Sequence, residues 1–201
     1  MDRADQHMET METIDGVRLS IRSIAADDRS ALLDSFSHLS EKSVYRRFLA
    51  PVKRLTASEL TYLTELDHSD HEALIALTED AEIVGVARYV RQDADPKRAE
   101  VAVTVLDAWQ GRGVGTTLLH LLARRAAENG VTQFTGVCLT DNREMLQLFD
   151  ELGPTTHHRA DGNVTEVEVT LPTTATHAIR PLLRAAGMAS PSDRGHKRPP
   201  T

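Results

Sequence analysis

The residues with the clearest potential for chemistry in this 201-residue chain form the segment Gln110-Gly-Arg-Gly-Val-Gly-Thr116. Three glycines alternate there with other residues, just before a run whose apolar positions recur at helical spacing. Glycine lets backbone N–H groups approach a ligand closely, and the unpaired amides at the start of a helix attract anions. The segment therefore predicts a loop that binds a phosphate or pyrophosphate, with Arg112 available for a charge-assisted contact.

Two familiar phosphate-binding loops do not fit this segment. A dinucleotide fingerprint that starts at Gly111 needs a glycine at position 116, where the chain has Thr116. A Walker loop needs Gly-Lys-Ser/Thr, whereas Gly115 is followed by two threonines. A plain strand-to-helix turn without a ligand stays open as the alternative.

Glu100 is the candidate general base. Alternation divides the side chains of the strand predicted at Ala99–Leu106 between two faces, with Glu100, Ala102 and Thr104 on one and Val101, Val103 and Val105 on the other. A carboxylate among small neighbours suits a proton acceptor that lines a cleft. A salt bridge of Glu100 with Arg88 or Arg98 is the alternative.

Alternating strands and helices must position these residues. Apolar alternation and turn signals predict strands at Val17–Ile21, Ala73–Leu77, Ile83–Val90, Ala99–Leu106, Phe134–Leu139 and Thr165–Leu171. Caps and helical spacing predict helices after Asp27 and Asp28, over Ser40–Phe48, after Thr56 with Glu59 in a capping box, from Val114 to Asn129-Gly130, and over Asn142–Leu152. This order indicates an α/β domain with helices flanking a sheet.

Charge and composition predict tails at both ends. Residues 1–15 carry a net charge of −4, and residues 172–201 carry +4 with five prolines. Both segments are predicted to be flexible. The domain between them, residues 16–171, carries the whole formal charge of −7.

Several classes of protein are disfavoured by the sequence. The one cysteine, Cys138, cannot form an internal disulfide, and His68 and His71 make no complete metal-ligand set. No apolar run reaches the roughly 18 residues of a membrane helix, and the acidic start lacks the apolar core of a signal peptide. The acidic balance also argues against nucleic-acid binding. We therefore expect a cytoplasmic protein, without a metal, that does not associate with membranes.

Two segments together resemble the GNAT superfamily of acyl-CoA-dependent N-acyltransferases. Gln110-x-x-Gly113-x-Gly115 is similar to the family's pyrophosphate loop, and the helix from Asn142 to Gly153 is similar to its later motif. Ser43–Phe48, Asp67-His68, Gly85–Tyr89 and Ala99–Val103 further resemble the acetyltransferase domain of bacterial Pat-type protein lysine acetyltransferases. The resemblance covers about residues 16–171.

The resemblance implies a GNAT fold, a mixed, mostly antiparallel sheet of six to seven strands that splays open at the cofactor cleft and is flanked by helices. It also implies the residues that bind acetyl-CoA: Val103, Thr104, Val105, Gln110, Gly111, Arg112, Gly113, Val114, Gly115, Thr116 and Asn142. Glu100 matches the general base of Pat-type enzymes. Phe149 stands where many family members have a tyrosine that protonates the CoA thiolate.

The function implied is direct acetyl transfer from acetyl-CoA to a primary amine, with a protein lysine as the preferred acceptor. The alternatives are a small-molecule amine, such as a polyamine, an aminoglycoside or an amino acid, and a non-catalytic acyl-CoA-binding module. A monomer or a homodimer is expected.

Overall fold

The computed structural model describes residues 8–159 and 162–172, which form one sheet and five α-helices. The strands are β1 (Glu9–Glu12), β2 (Arg18–Ser23), β3 (His71–Leu77), β4 (Ile83–Gln92), β5 (Asp95–Val105), β6 (Gln133–Leu139), β7 (Thr155–Arg159) and β8 (Val164–Thr170). The helices are α1 (Arg29–Ser37), α2 (Glu41–Phe48), α3 (Ala57–Thr64), α4 (Val114–Glu128) and α5 (Arg143–Leu152). None of the described helices is long and apolar enough to cross a membrane.

The sheet is mixed and open, in the order β1-β2-β3-β4-β5-β6-β8-β7. All neighbouring strands are antiparallel except β5 and β6, which are parallel and pair only over Arg98–Glu100. After Glu100 the two strands separate, while β6 continues its pairing with β8 through Leu139. The predicted mostly antiparallel, splayed sheet flanked by helices is confirmed, with eight strands in place of six to seven.

Two apolar cores hold the helices against the sheet. The first includes Leu118 and Leu122 of α4 and Phe149 of α5, which pack with buried residues of β1 to β6 and of β8. The second joins residues of α1 and α3, such as Leu32 and Leu60, to the opposite side of the sheet. The sheet therefore lies between α4 and α5 on one face and α1 and α3 on the other.

The amino-terminal boundary differs from the prediction. Glu9–Glu12 was expected in a flexible tail but forms the edge strand β1, in which Met11 is buried and Glu9 pairs with Arg124 of α4. Only one of its four residues is apolar, so the sequence carries little strand signal there, and the partners β2 and α4 supply the stabilising contacts. Apart from Pro172, the predicted basic C-terminal tail lies outside the described residues.

The helix caps explain where α2 and α3 begin. Thr56 and Glu59 form the predicted capping box, with the Thr56 N–H donating to Glu59 Oε2 at 2.7 Å. Ser40 caps α2, because its hydroxyl accepts from the Ser43 N–H. Asp28 was expected to cap the first helix but instead accepts two hydrogen bonds from the Arg22 guanidinium, at 2.6 and 2.7 Å.

Candidate active site

The separation of β5 from β6 opens a cleft of about 580 Å³. One wall is β5, the opposite wall includes Val137 and Cys138 of β6, and α5 lies alongside. The glycine loop follows the end of β5 and borders one end of the cleft, and Glu100 lies farther back along β5, toward the other end. Helix α2 lies along the cleft, with Ser43 next to Gln110. Ten of the predicted site residues line this cleft: Glu100, Val103, Thr104, Val105, Gln110, Gly111, Gly113, Gly115, Thr116 and Asn142.

The backbone of β5 presents an unpaired edge to the cleft. The Leu106 N–H donates to the Val84 carbonyl at 2.9 Å, so Leu106 faces β4. Since successive residues of a strand turn their backbone groups to opposite sides, those of Val103 and Val105 face away from β4, toward the cleft. Gln110 Nε2 reaches back to donate to the Val105 carbonyl at 3.0 Å. An extended ligand with amide groups can therefore pair with this edge.

The glycine loop has the conformation that an anion site requires. Gly111 and Gly113 have φ values of 72° and 87°, in the left-handed region that favours glycine. A Cβ on either residue would meet no heavy atom within 4 Å, so the space above the loop is open. Helix α4 begins at Val114, and the first amides of a helix have no acceptor within it. The loop therefore fits a pyrophosphate group.

Two residues predicted to bind the cofactor do not line the cleft. The Arg112 guanidinium pairs with Asp15 at 2.8 Å and lies over the Trp109 ring, 4.9 Å from its centre. Trp109 is partly buried and packs against the first core. The Val114 side chain is buried in that core, which leaves only its backbone at the start of α4.

Asn142 lies at the point where β6 passes into α5. It caps α5 by accepting from the Met145 N–H at 3.4 Å and is itself buried. That bond uses its side-chain oxygen and leaves the amide nitrogen without a hydrogen-bond partner among the described residues. Asn142 is among the residues that line the cleft.

Glu100 is the last residue of β5 that pairs with β6 and is exposed in the cleft. The two arginines considered as salt-bridge partners are engaged elsewhere. Arg98 pairs with Glu168, and Arg88 contacts the Leu63 carbonyl at 3.1 Å and His71 Nε2 at 3.2 Å. Within the described part of the chain, the Glu100 carboxylate therefore has no direct partner and is available to a ligand.

Helix α2 contributes side chains to which the sequence alone gave no role in the site. Ser43, Arg46, Arg47 and Phe48 line the cleft, and the Ser43 hydroxyl accepts from Gln110 Nε2 at 3.4 Å. The only feature of the sequence that pointed to these residues was the resemblance of Ser43–Phe48 to Pat-type enzymes.

Asp107 fixes α2 relative to the glycine loop. Its carboxylate accepts from the Ser40 N–H at 3.0 Å and from the Ser40 and Ser43 hydroxyls at 2.8 and 2.9 Å. Burial raises the pKa of Asp107, but these hydrogen bonds outweigh it and leave the pKa below its ordinary value. Asp107 thus holds the start of α2 beside the glycine loop.

No tyrosine can serve as the proton donor to the leaving thiolate in this conformation. The chain has three, all in the described residues, and none lines the cleft. Tyr45, considered from the sequence as a substitute or a core residue, is 46% exposed and faces an outer groove. Phe149 is buried, with the tip of its ring against Gly136.

The surroundings of two other titratable residues, Cys138 and His71, disfavour a catalytic role. Burial raises the pKa of the Cys138 thiol, which disfavours the nucleophilic thiolate. Burial and the nearby Arg88 charge lower the pKa of His71 to about 4. The described residues contain no cluster of three or more His, Cys, Asp or Glu side chains that could hold a metal ion.

The sheet splays beside a glycine loop that begins a helix, and this arrangement is that of the GNAT fold. Residues 37–153 match the Acetyltransferase (GNAT) family, and the chain belongs to that family. It is 36% identical over 165 residues to acetyltransferase Pat of Mycolicibacterium smegmatis, an alignment that covers 81% of this chain and 49% of Pat. The chain thus spans about half the length of that relative.

Solved structures agree with this assignment. The GNAT domain of S. lividans PAT superimposes with a TM-score of 0.77 at 31% identity, over 85% of this chain and all of that domain. The Salmonella typhimurium protein yncA, solved with its cofactor acetyl-CoA, shares the fold with a TM-score of 0.63 at 20% identity, over 80% of this chain and 96% of yncA.

Proposed function

We propose that this protein transfers the acetyl group of acetyl-CoA directly to a primary amine, with a protein lysine as the preferred acceptor. The observation that carries the proposal is the position of Glu100. Its carboxylate has no direct partner among the described residues and lies where β5 leaves β6, in the same cleft as the glycine loop. The likeness to Pat over most of the chain supports the lysine acceptor.

The cofactor end of the cleft offers groups for each part of acetyl-CoA, which when bound supplies an activated acyl thioester. The loop amides at residues 111–116 would hold the pyrophosphate, since they lie at the positive end of α4. The free edges of Val103 and Val105 would pair with the amides of the pantetheine arm, and the Asn142 amide nitrogen would donate to it. A backbone N–H near Val105 would polarise the thioester oxygen.

At the acceptor end of the cleft, Glu100 would accept a proton from the amine. A lysine amine has an ordinary pKa of about 10.4 and arrives as an ammonium without a free electron pair. The Glu100 carboxylate would accept one of its protons, and the nitrogen lone pair would then attack the acyl carbon. The new C–N bond forms as the C–S bond breaks, and the nitrogen releases its second proton to solvent to give the neutral amide. Because Phe149 has no hydroxyl, the departing thiolate would take its proton from solvent.

The test is acetyl-CoA turnover with lysine peptides, proteins and small amines, using wild-type protein, Glu100→Gln and the control Glu79→Gln on an exposed turn between β3 and β4. We expect kcat to fall by about 10²- to 10⁴-fold in Glu100→Gln, the range for loss of a general base. CoA affinity should stay unchanged, since Gln keeps the size and polarity of Glu. The Glu79→Gln protein should behave as wild type.

Three outcomes would point elsewhere. Turnover of small amines alone would favour a small-molecule acetyltransferase. Tight CoA binding without turnover of any acceptor would favour the acyl-CoA-binding module. Full activity in Glu100→Gln would exclude Glu100 as the base.

A further inference from the structure

Arg47 is a cation at the acceptor end of the cleft for which the protein provides no direct partner. It lines both the cleft and a smaller cavity that continues beneath α2. Its guanidinium lies over the Phe48 ring, 5.0 Å from the centre, and forms no hydrogen bond or ion pair with any described residue. Arg46, its neighbour on α2, pairs with Glu144 at 3.1 Å. The contrast marks Arg47 as the arginine of α2 that is free to bind a ligand.

A second arginine, Arg88, lies behind Arg47 on the wall of the smaller cavity. It is buried, and both of its contacts, the Leu63 carbonyl and the His71 ring, are uncharged at neutral pH. Burial, followed by the charge of Arg47, lowers the pKa of Arg88 to about 10. Arg88 stays protonated at that value, so the positive charge of the pair is not neutralised by a direct contact.

Arg47 has one acidic and one basic neighbour that interact with it electrostatically, Glu100 and Arg88. Two other carboxylates that line the cleft have partners: Glu144 pairs with Arg46, and Glu151 accepts from Gln147 Nε2 at 2.8 Å. Burial lowers the pKa of Arg47, and the nearby Glu100 charge raises it in part, but the two side chains make no ion pair. An acceptor that carried only an ammonium would leave Arg47 partly desolvated and without an anionic partner.

We propose that Arg47, supported by Arg88, binds a carboxylate of the acceptor, so that the preferred substrate is an amine with a carboxylate beside it. The guanidinium fork matches a carboxylate in shape and charge. Glu100 receives the amine in the same part of the cleft. The inference rests on the proposed acetyl transfer and narrows its acceptor. Two sources carry this chemistry: the α-carboxylate of a free amino acid, and an acidic residue next to the target lysine of a protein.

The test compares acceptors that differ only in the carboxylate. One arm uses acetyl-Gly-Lys-Gly amide against acetyl-Asp-Lys-Gly amide and acetyl-Gly-Lys-Asp amide. The other uses free amino acids against their α-amides. Each pair is measured with wild type, Arg47→Gln and Lys42→Gln, in which the same charge is removed from an exposed position of α2.

We expect wild type to prefer the carboxylate-bearing member of at least one arm by about ten- to a hundredfold in kcat/KM, the range for a hydrogen bond to a charged group. Arg47→Gln should bring that ratio close to one, because Gln lacks the charge and the fork, while Lys42→Gln keeps it. The arm that shows the preference identifies the source of the carboxylate. Equal kcat/KM within every pair in wild type would overturn the proposal.

A binding experiment separates this inference from the proposed function. The same pairs are titrated into CoA-saturated wild type and Arg47→Gln, with heat as the readout, so that no turnover is required. Tighter binding of the carboxylate member, lost in Arg47→Gln, supports the site even where acetyl transfer is absent and the proposed function has failed. If Arg47→Gln weakens CoA binding and leaves acceptor preference intact, Arg47 belongs to the cofactor site and the proposal is wrong.

Discussion

The cofactor end of the cleft presents mainly backbone, whereas the acceptor end presents charged side chains. At the first end, the strand edge of Val103 and Val105 and the amides of residues 111–116 would face the proposed cofactor. At the second end, Glu100 and Arg47 line the cleft from β5 and α2, two elements far apart in the chain. The two proposed anion sites thus use different kinds of group within one cleft.

This difference determines which substitutions each end of the cleft tolerates. A site built from backbone groups depends on open space and on the torsion angles of its glycines. Replacing one of these glycines by a residue with a Cβ therefore harms the site more than changing the polarity of a side chain elsewhere. A side-chain site depends on charge, so an isosteric neutral substitution is enough to disable it. Asp107 holds the start of α2 against the turn before the loop.

The largest effect should come from a side chain in the backbone site. In Gly113→Val, a β-branched residue must adopt a φ near 87° and fill the space above the loop. We expect CoA affinity to fall by about a hundredfold or more, since the helix amides lose both their geometry and their access. Gly130→Val is the matched control, because Gly130 has a φ of 84°, open space and a position at the far end of α4. Similar losses of thermal stability but equal CoA affinities in the two variants would contradict the loop assignment.

Phe149→Tyr tests whether the cofactor end accepts the hydroxyl that many family members use. The Phe149 Cζ atom lies 2.5 Å from where a Cβ of Gly136 would stand, so the hydroxyl would press on the Gly136 backbone. We expect the free energy of unfolding to fall by about 1–3 kcal/mol, as for other overpacked cores, with no gain in kcat. Urea denaturation and turnover measure the two effects. A faster enzyme of undiminished stability would show that the ring can present a hydroxyl to the thiolate.

Asp107→Asn loosens the attachment of α2 to the turn before the glycine loop. Because Asp107 is exposed, we expect a loss of at most about 1 kcal/mol in the free energy of unfolding at pH 7. The pKa of Asp107 is lower in the folded state than its ordinary value of 3.8, so its stabilisation is complete above that value. This stabilisation disappears as the pH falls through the lower pKa of the folded state. The free energies of unfolding of wild type and Asp107→Asn should then converge. Unfolding curves from pH 7 to pH 3 test this, and a difference that grows on acidification would contradict it.

The smallest effect concerns Asp15, whose carboxylate holds Arg112 beside the backbone site. In Asp15→Asn the arginine is released and a negative charge near the loop is removed. We expect CoA to bind about two- to fivefold more tightly at low salt, with the gain fading at high salt because exposed charges are screened. CoA titrations at two ionic strengths measure it. Weaker binding, or a gain independent of salt, would show that the Asp15 and Arg112 pair supports the loop.

Much of the backbone site could be predicted from the sequence, because its determinants are local. The glycines of residues 111–115, the helical spacing that follows and the alternation along β5 are patterns within short stretches of chain. They placed Gln110, Gly113 and Glu100 in elements that the structure brings to one cleft. The role of each residue in binding or catalysis stays a prediction.

The side-chain site and the edges of the fold could not be predicted in this way. Whether Arg47 is free while Arg46 is paired depends on where α5 places Glu144. Whether Arg112 faces a ligand or Asp15 depends on the chain joining β1 and β2, and β1 itself becomes a strand only because β2 offers an edge.

The sequence alone thus determined the class of fold, and it predicted the anion loop and the carboxylate that would accept the proton. The tertiary structure decided which cations keep a partner and which face the cleft. The physical reason is that backbone torsions and periodicity are set by neighbouring residues. The pairing of charges is set instead by the contacts that distant elements make once the chain has folded.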